Sequence, residues 1–243
     1  MTAGAEGAAA GHVRAVWTDF GGVLTPSAAA STRAYSDLVG VPVAILQQVI
    51  VRVTATYGTD DPMLPLDTPL VTEDEWTRQV EQVLARDFAL DVKLGDFGEG
   101  WFRDRPVDTQ WLSVLRDLRA AGFFVGMLSN MVPTWERHWR AMVPSTEVFD
   151  HIVVSHEVGF RKPMRQIYDL AALAAGVEAG QCVLVDDMPG NCAGAEASGW
   201  HAIRFTDAAE AARQLSPLVG IELVAPAGRT RHDDRPWVAV RHA

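Results

Sequence analysis

The sequence predicts an α/β protein built on a doubly wound parallel sheet, with a helical subdomain inserted after the first strand. Two observations carry this. Short apolar runs recur with helix-period stretches between them. The first two runs lie about 100 residues apart, too far for a single crossover or an unstructured loop. The runs are "VRAVWTD" (13–19), "FFVGMLS" (123–129), "HIVVS" (151–155), "CVLVDD" (182–187) and "HAIRF" (201–205). They are rich in β-branched or aromatic residues and lack strict alternation, which suits parallel strands covered on both faces. Strand followed by helix, repeated, gives a doubly wound sheet.

The helices follow from spacing and punctuation. "DTQWLSVLRDLRAAG" (108–122) sets Trp111, Leu115 and Leu118 on one face and stops at Gly122, a C-cap signal. "PMRQIYDLAALAAG" (163–176) is predicted to carry Pro163 in its first turn and to end at Gly176. "NCAGAEASG" and "TDAAEAARQL" are shorter helices. "VPVAILQQVIVRV" and "EDEWTRQVEQVLARDF" give the insert its helical period. The predicted division is a flexible segment (1–11), a core (12–26 and 109–220), the insert (27–108) and a C-terminal extension (221–243).

Bulk properties narrow the function. The chain has 243 residues, is 48% hydrophobic and 21% charged, and carries a formal net charge of −10. That balance is ordinary for a globular protein and offers no basic footprint to nucleic acid or an anionic membrane. No uninterrupted apolar run approaches the ~20 residues of a membrane span. "MTAGAEGAAAG" lacks the basic start and apolar middle of a signal peptide. Cys182 and Cys192 show no metal-like spacing and read as reduced, buried thiols of a cytoplasmic protein. The seven histidines show no ligand spacing; His156, at the third strand's end, is the one to watch.

Polar groups collect where such sheets bind ligands, beyond the carboxyl ends of the strands. Asp19 ends the first strand, Ser129 and Asn130 the second, and Asp186 and Asp187 the fourth, with Asn191 shortly after. Lys162 follows the third. Singly, an Asp after a strand is a cap or turn former; jointly the set matches phosphoryl chemistry. Asp19 and Asp187 supply oxygens for one Mg²⁺, supported by Asn191. Ser129 and Lys162 offset phosphate charge. The second oxygen of Asp19 is placed to attack phosphorus, and Gly21 and Gly22 let backbone N–H groups approach the phosphate.

The motifs "TDFGGVL", "LSNM", "VGFRKPMRQIY" and "LVDDMPGNCAGAEASGW" together resemble the haloacid dehalogenase superfamily, over 12–26 and 109–206. The wording is closest to the branch containing the phosphatase domain of soluble epoxide hydrolase. The resemblance implies a Rossmann-like core with a type-1 helical cap. It also implies Asp19 as nucleophile, Ser129 and Asn130 with Gly22 as phosphate binders, and Lys162 bridging Asp19 and the phosphate. Asp19, Asp187 and the Gly21 carbonyl would be metal ligands, with Asp186 and Asn191 in support. The implied activity is Mg²⁺-dependent hydrolysis of a small phosphorylated metabolite. One departure stands out. Family phosphatases carry a second Asp two residues after the nucleophile as general acid, and this chain has Gly21. General acid–base help is typically worth ~10²–10⁴ in rate. Two further readings therefore stay open on the sequence alone. One is a non-catalytic descendant that binds a phosphate ligand or a partner. The other is a dehalogenase-type hydrolase, whose halide leaves unprotonated, although the paired Asp186 and Asp187 facing Asp19 argue against it. In the insert, "GTDDPMLPLD" and "GEGWFRDRP" are polar–aromatic segments able to meet substrate, with packing against the sheet the alternative for Trp101 and Phe102. Arg161 reads equally as a phosphate contact or a solvated side chain.

Overall fold

The structure is a computed structural model that describes residues 13–226. The first strand, β1 (Ala15–Thr18), leads into α1 (Ala28–Val39), α2 (Val43–Ala55), α3 (Leu64–Asp67), α4 (Glu73–Phe88) and α5 (Phe97–Phe102). The chain continues through α6 (Thr109–Ala120), β2 (Phe124–Ser129), α7 (Glu136–Met142), α8 (Ser145–Val148), β3 (His151–Val154) and α9 (Ser155–Val158). It closes with α10 (Arg165–Ala175), β4 (Cys182–Asp186), α11 (Pro189–Ala197), β5 (His201–Arg204) and α12 (Ala208–Val219). All strand pairings are parallel, in the order β3-β2-β1-β4-β5. No single helix among the described residues is long and apolar enough to cross a membrane.

The period of two along each strand sorts side chains into two cores. Val16, Val125, Met127, Val183 and Val185 face one side with Trp111, Leu115 and Leu215. Ala15, Trp17, Leu128, Cys182 and Leu184 face the other with Ile167, Tyr168 and Trp200. Gly126, opposite Trp17 in the β1–β2 register, leaves room for the indole; a Cβ there would lie 2.4 Å from the ring.

Every predicted strand is present, each shorter by one to three residues than the apolar run that announced it. A run marks burial, and burial continues past the last ladder hydrogen bond. The helix predicted from Pro163 begins instead at Arg165, after an extended Met164, so Pro163 belongs to the loop before it. The helix predicted to stop at Gly122 ends at Ala120, and Gly122 takes the left-handed conformation just beyond. The two ends of the insert lie side by side: the Asp108 N–H donates to the Leu24 carbonyl (2.8 Å), and the Asp108 side chain caps α6. The predicted N-terminal segment and the extension from residue 227 onward lie outside the described residues.

Candidate active site

The strand order changes direction between β1 and β4, which opens a crevice at their carboxyl ends. The Asp19 N–H donates to the Val185 carbonyl (2.9 Å), which carries the β1–β4 ladder one residue past β1. Asp19 therefore stands next to Asp186 and Asp187, and one oxygen from each of the three carboxylates lies within 4.8 Å of the others. Lys162 reaches them from beyond β3. Its Nζ is 2.5 Å from Asp186 Oδ2 and 3.0 Å from Asp19 Oδ1, and the residue is 1% exposed. Asp186 is engaged all round, because the Met188 N–H donates to Oδ1 (2.8 Å) and the Asn191 amide donates to both oxygens (3.0 Å each).

Three carboxylates around one ammonium leave an excess of negative charge. Burial pushes the Asp19 carboxyl up; Lys162 opposes the rise and Asp186 adds to it. Burial, then Asp19 and Asp186, push Asp187 up to about 6. Burial alone would lower Lys162, but Asp186 and Asp19 outweigh it and hold the ammonium above the usual lysine range. Oxygen donors with two surplus negative charges suit a hard divalent cation. Gly22 supports the same conclusion. It has φ +86°, and a Cβ there would stand 2.1 Å from Asp187 Oδ2, so only glycine admits that carboxylate.

Some sequence-predicted residues have other partners here. The Gly22 N–H donates to the Thr25 carbonyl (2.9 Å), closing its own turn, so it is not a free donor for phosphate. Both ends of the Asn130 side chain are occupied: Oδ1 accepts from the Lys162 N–H (2.8 Å) and Nδ2 donates to the Lys162 carbonyl (2.9 Å). Asn130 thus fixes the lysine backbone. Lys162 itself joins two carboxylates, where the resemblance put it between Asp19 and phosphate. Ser129 is buried beside Asp19 and lowers its pKa. A Cβ at Gly21 would meet nothing within 4 Å, so the loop has room for a side chain that the sequence lacks.

A cavity of about 600 Å³ opens over these groups and takes much of its wall from the insert. Trp101 and Phe102 do both things weighed for them. Trp101 stacks on Trp135 (5.8 Å between centroids), Phe102 packs against Phe20 (6.3 Å), and all four rings line the cavity. The acidic loop reaches the same space through Asp60, Asp61 and Asp67. Arg161 is neither a solvated side chain nor free for phosphate. It is buried and paired with Asp61 (2.6 Å) and Asp67 (2.8 Å), which ties the core to the insert. Burial, opposed by Arg161, pushes Asp67 up to about 6. Glu73 at the start of α4 makes a second tie, accepting from Trp135 Nε1 (3.0 Å) and from the Thr134 hydroxyl. Arg105 was missed; only its charge within an aromatic segment could have drawn notice. His156 does not line this cavity.

The family model for haloacid dehalogenase-like hydrolases matches residues 13–199. A sesquiterpene phosphatase of Aspergillus oryzae is 31% identical over 116 residues, which cover 48% of this chain and 59% of that protein. A phosphoserine phosphatase of Thermus thermophilus is 28% identical over 97 residues, 39% of each chain. The matches thus span less than two thirds of the length of these curated relatives. Among solved structures, a haloacid dehalogenase family enzyme of Bacteroides thetaiotaomicron superposes with a TM-score of 0.61 at 19% identity, covering 81% of this chain and 95% of its own. That likeness is one of fold, with the parallel sheet and flanking helices in common. With the family match running from the first strand past α11, the chain belongs to the haloacid dehalogenase-like hydrolases.

Proposed function

We propose that this hydrolase is a Mg²⁺-dependent phosphatase that acts on a small phosphorylated metabolite through an aspartyl phosphate on Asp19. The observation that carries the reading is the clustering of Asp19, Asp186 and Asp187 at the β1–β4 crevice, with the ammonium of Lys162 paired to the first two. The phosphatase names of the relatives support it, as does the crystallisation of the Bacteroides enzyme with magnesium and inorganic phosphate. Asp19, Asp187 and the Gly21 carbonyl would hold Mg²⁺, with Asp186 and Asn191 in support. Bound there, the ion would offset phosphate charge and orient the phosphoryl group. The helical insert acts as the cap, closing the site from solvent. The buried free thiols Cys182 and Cys192 fit a reducing compartment such as the cytoplasm.

The protein's own groups divide the work. Lys162 opposes the rise that burial imposes on the Asp19 carboxyl and so favours its ionised, nucleophilic form. The Ser129 hydroxyl donates to a phosphate oxygen. Asn130 holds Lys162 in register through its backbone. Nothing at position 21 protonates the leaving group. The charge excess counts against dehalogenase chemistry without a cation, since buried carboxylates this close repel. The missing acid favours one competing reading, a phosphate-binding protein without turnover, and the first experiment separates the two.

That experiment assays a panel of phosphate monoesters with Mg²⁺. Turnover should vanish in EDTA and in Asp19→Asn, and turnover that survives either treatment would contradict the mechanism. The cation should also raise the melting temperature. Below about pH 6 Asp187 holds its proton and competes with the metal, so this stabilisation should shrink as pH falls from neutral to about 5. An equal shift at both pH values would remove Asp187 from the metal site.

The glycine makes a second test. Phosphoryl transfer has a loose transition state, so charge accumulates on the departing oxygen. With no acid to mask it, log k for phosphorylation should fall steeply with leaving-group pKa across aryl phosphates in single turnover. Gly21→Asp has room to be accommodated and should flatten that slope. A flat wild-type slope would mean that another acid operates.

Lys162 gives the third. Removing one partner of a buried ion cluster costs about 3–5 kcal/mol. Lys162→Met should therefore lose stability on that scale at pH 8. Its uncompensated carboxylates should bind protons more tightly folded than unfolded, so the loss should shrink as pH falls, and Mg²⁺ should restore part of it. A variant as stable as the wild type in chemical denaturation would refute the assigned balance of charge.

A further inference from the structure

We infer that the substrate is an organic diphosphate carried on an apolar carbon chain, with Asp19 taking the terminal phosphoryl group; the inference rests on the phosphatase reading above. Three features of the cavity point to it. The first is its wall. Beside Asp19 stand Phe20, Met63, Trp101, Phe102, Trp135 and Met188; several polar side chains among them are engaged, although one buried oxygen of Asp67 and Nε of Arg161 have no partner. Asp61 and Asp67 pair with Arg161, and Asn130 is committed to the Lys162 backbone. Over the rings and thioethers of this wall the hydroxyls of a sugar would find no partner, and each buried unpaired group opposes binding. A hydrocarbon chain loses nothing there.

The second feature is Arg105. Among the described residues it is the cavity cation without a carboxylate partner; Lys162 and Arg161 each have two. One terminal nitrogen donates to the Pro26 carbonyl (2.9 Å), while the buried Nε has no partner. The guanidinium lies 5.3 Å from the Phe102 ring centre and 5.6 Å from that of Trp101. Arg105 and Asp19 line the same cavity, and burial lowers the guanidinium's pKa to about 10, with Asp19 as the charge that opposes the fall. An oriented, desolvated guanidinium with unused donors suits a phosphate group in particular.

The third is Gly21. An alkyl monophosphate must expel an alkoxide, which calls for a proton that this loop does not supply. A diphosphate expels a phosphate monoester, whose second pKa is about 6, so it leaves without one. In the balanced step, an Asp19 oxygen forms a bond to the terminal phosphorus and the bridging P–O bond breaks. Its electron pair stays on the departing organic monophosphate, whose added charge faces Arg105. Water then attacks the aspartyl phosphate, giving inorganic phosphate and free Asp19, with its proton passing to phosphate or solvent. Arg105 is thereby a specificity-determining residue that binds the phosphate retained on the product.

The test uses n-decyl monophosphate and n-decyl diphosphate, neither of them allylic, with p-nitrophenyl phosphate alongside, all with the full chain and Mg²⁺. The wild type should turn over the diphosphate with kcat/KM at least ~100-fold above the monophosphate, the order of the missing acid's worth. Decyl monophosphate should accumulate and decanol should not. Arg105→Met keeps the apolar stem and should cut the diphosphate-to-monophosphate ratio by ~10–100-fold, the worth of a charged hydrogen bond, and Arg105→Lys should recover part of it. Because the wild-type ratio and product are read without any variant, poor folding of Arg105→Met does not spare the inference. Hydrolysis of p-nitrophenyl phosphate with no diphosphate preference, or with decanol released, overturns this inference alone. No turnover of any ester overturns the phosphatase reading and this one together.

Discussion

The ammonium of Lys162, almost wholly buried, touches two carboxylates that follow neighbouring strands, and the geometry of the site depends on that contact. Asp19 and Asp186 come from β1 and β4, whose parallel register would bring their charges together with nothing between them. Buried like charges at this separation cannot both stay ionised without a cation. Lys162 supplies one, and the structure around it keeps it from swinging away. Asn130 grips its peptide group on both sides, and Asn191 and the Met188 N–H take the remaining capacity of Asp186. Asp186 is thereby fixed as a structural carboxylate. Asp19 keeps an oxygen for chemistry, and burial with the neighbouring carboxylates pushes Asp187 up to about 6.

The insert completes the site through buried ties rather than through the sheet, among them the Ser155 hydroxyl donating to the Asp67 carbonyl (2.9 Å). Arg161 reaches up to Asp61 and Asp67, and Glu73 reaches down to Thr134 and Trp135. Both end on residues that line the cavity, so the position of the aromatic wall follows the position of the insert. Whatever reaches Asp19 passes between the charged groups at the strand ends and an insert face that carries Met63, Trp101 and Phe102 beside Asp60, Asp61 and Arg105. On the proposed function, that division assigns the phosphoryl group to the core and the leaving group to the insert.

The fold, and the meeting of Asp19, Lys162, Asp186 and Asp187 at one edge of the sheet, were legible in the sequence because both are local signals. Buried parallel strands are continuous apolar runs, and a carboxylate at the end of such a run lands at the ligand-binding edge whatever else the chain does. The partners of those residues were not legible, because they depend on distant pairings. Asn130 reads as a phosphate binder, yet its amide lies on the Lys162 backbone; Arg161 reads equally as a phosphate contact or a solvated side chain, yet it pairs with Asp61, 100 residues away. Gly22 was singled out correctly as a glycine, for the wrong neighbour: the close approach it permits is that of Asp187. Arg105 lies in "GEGWFRDRP", a segment read as able to meet substrate, but nothing in the sequence separates it from Arg103 two residues before. Its meaning comes from the carboxylate it lacks, and that is known only once its surroundings are in place.

The mechanism stands or falls on a covalent phosphoryl group at one residue. Without a side chain at position 21 to activate water, hydrolysis of the intermediate should lag behind its formation, so the phosphoenzyme should accumulate. The direct measurement is rapid mixing of the protein with p-nitrophenyl phosphate and Mg²⁺, acid quenching, and mass mapping of the peptides. The mechanism predicts a burst of nitrophenol approaching one per chain, and one phosphoryl group on the peptide that contains Asp19, absent when EDTA replaces Mg²⁺. A steady release of nitrophenol from an unmodified chain, or a phosphoryl group on any other residue, would contradict it.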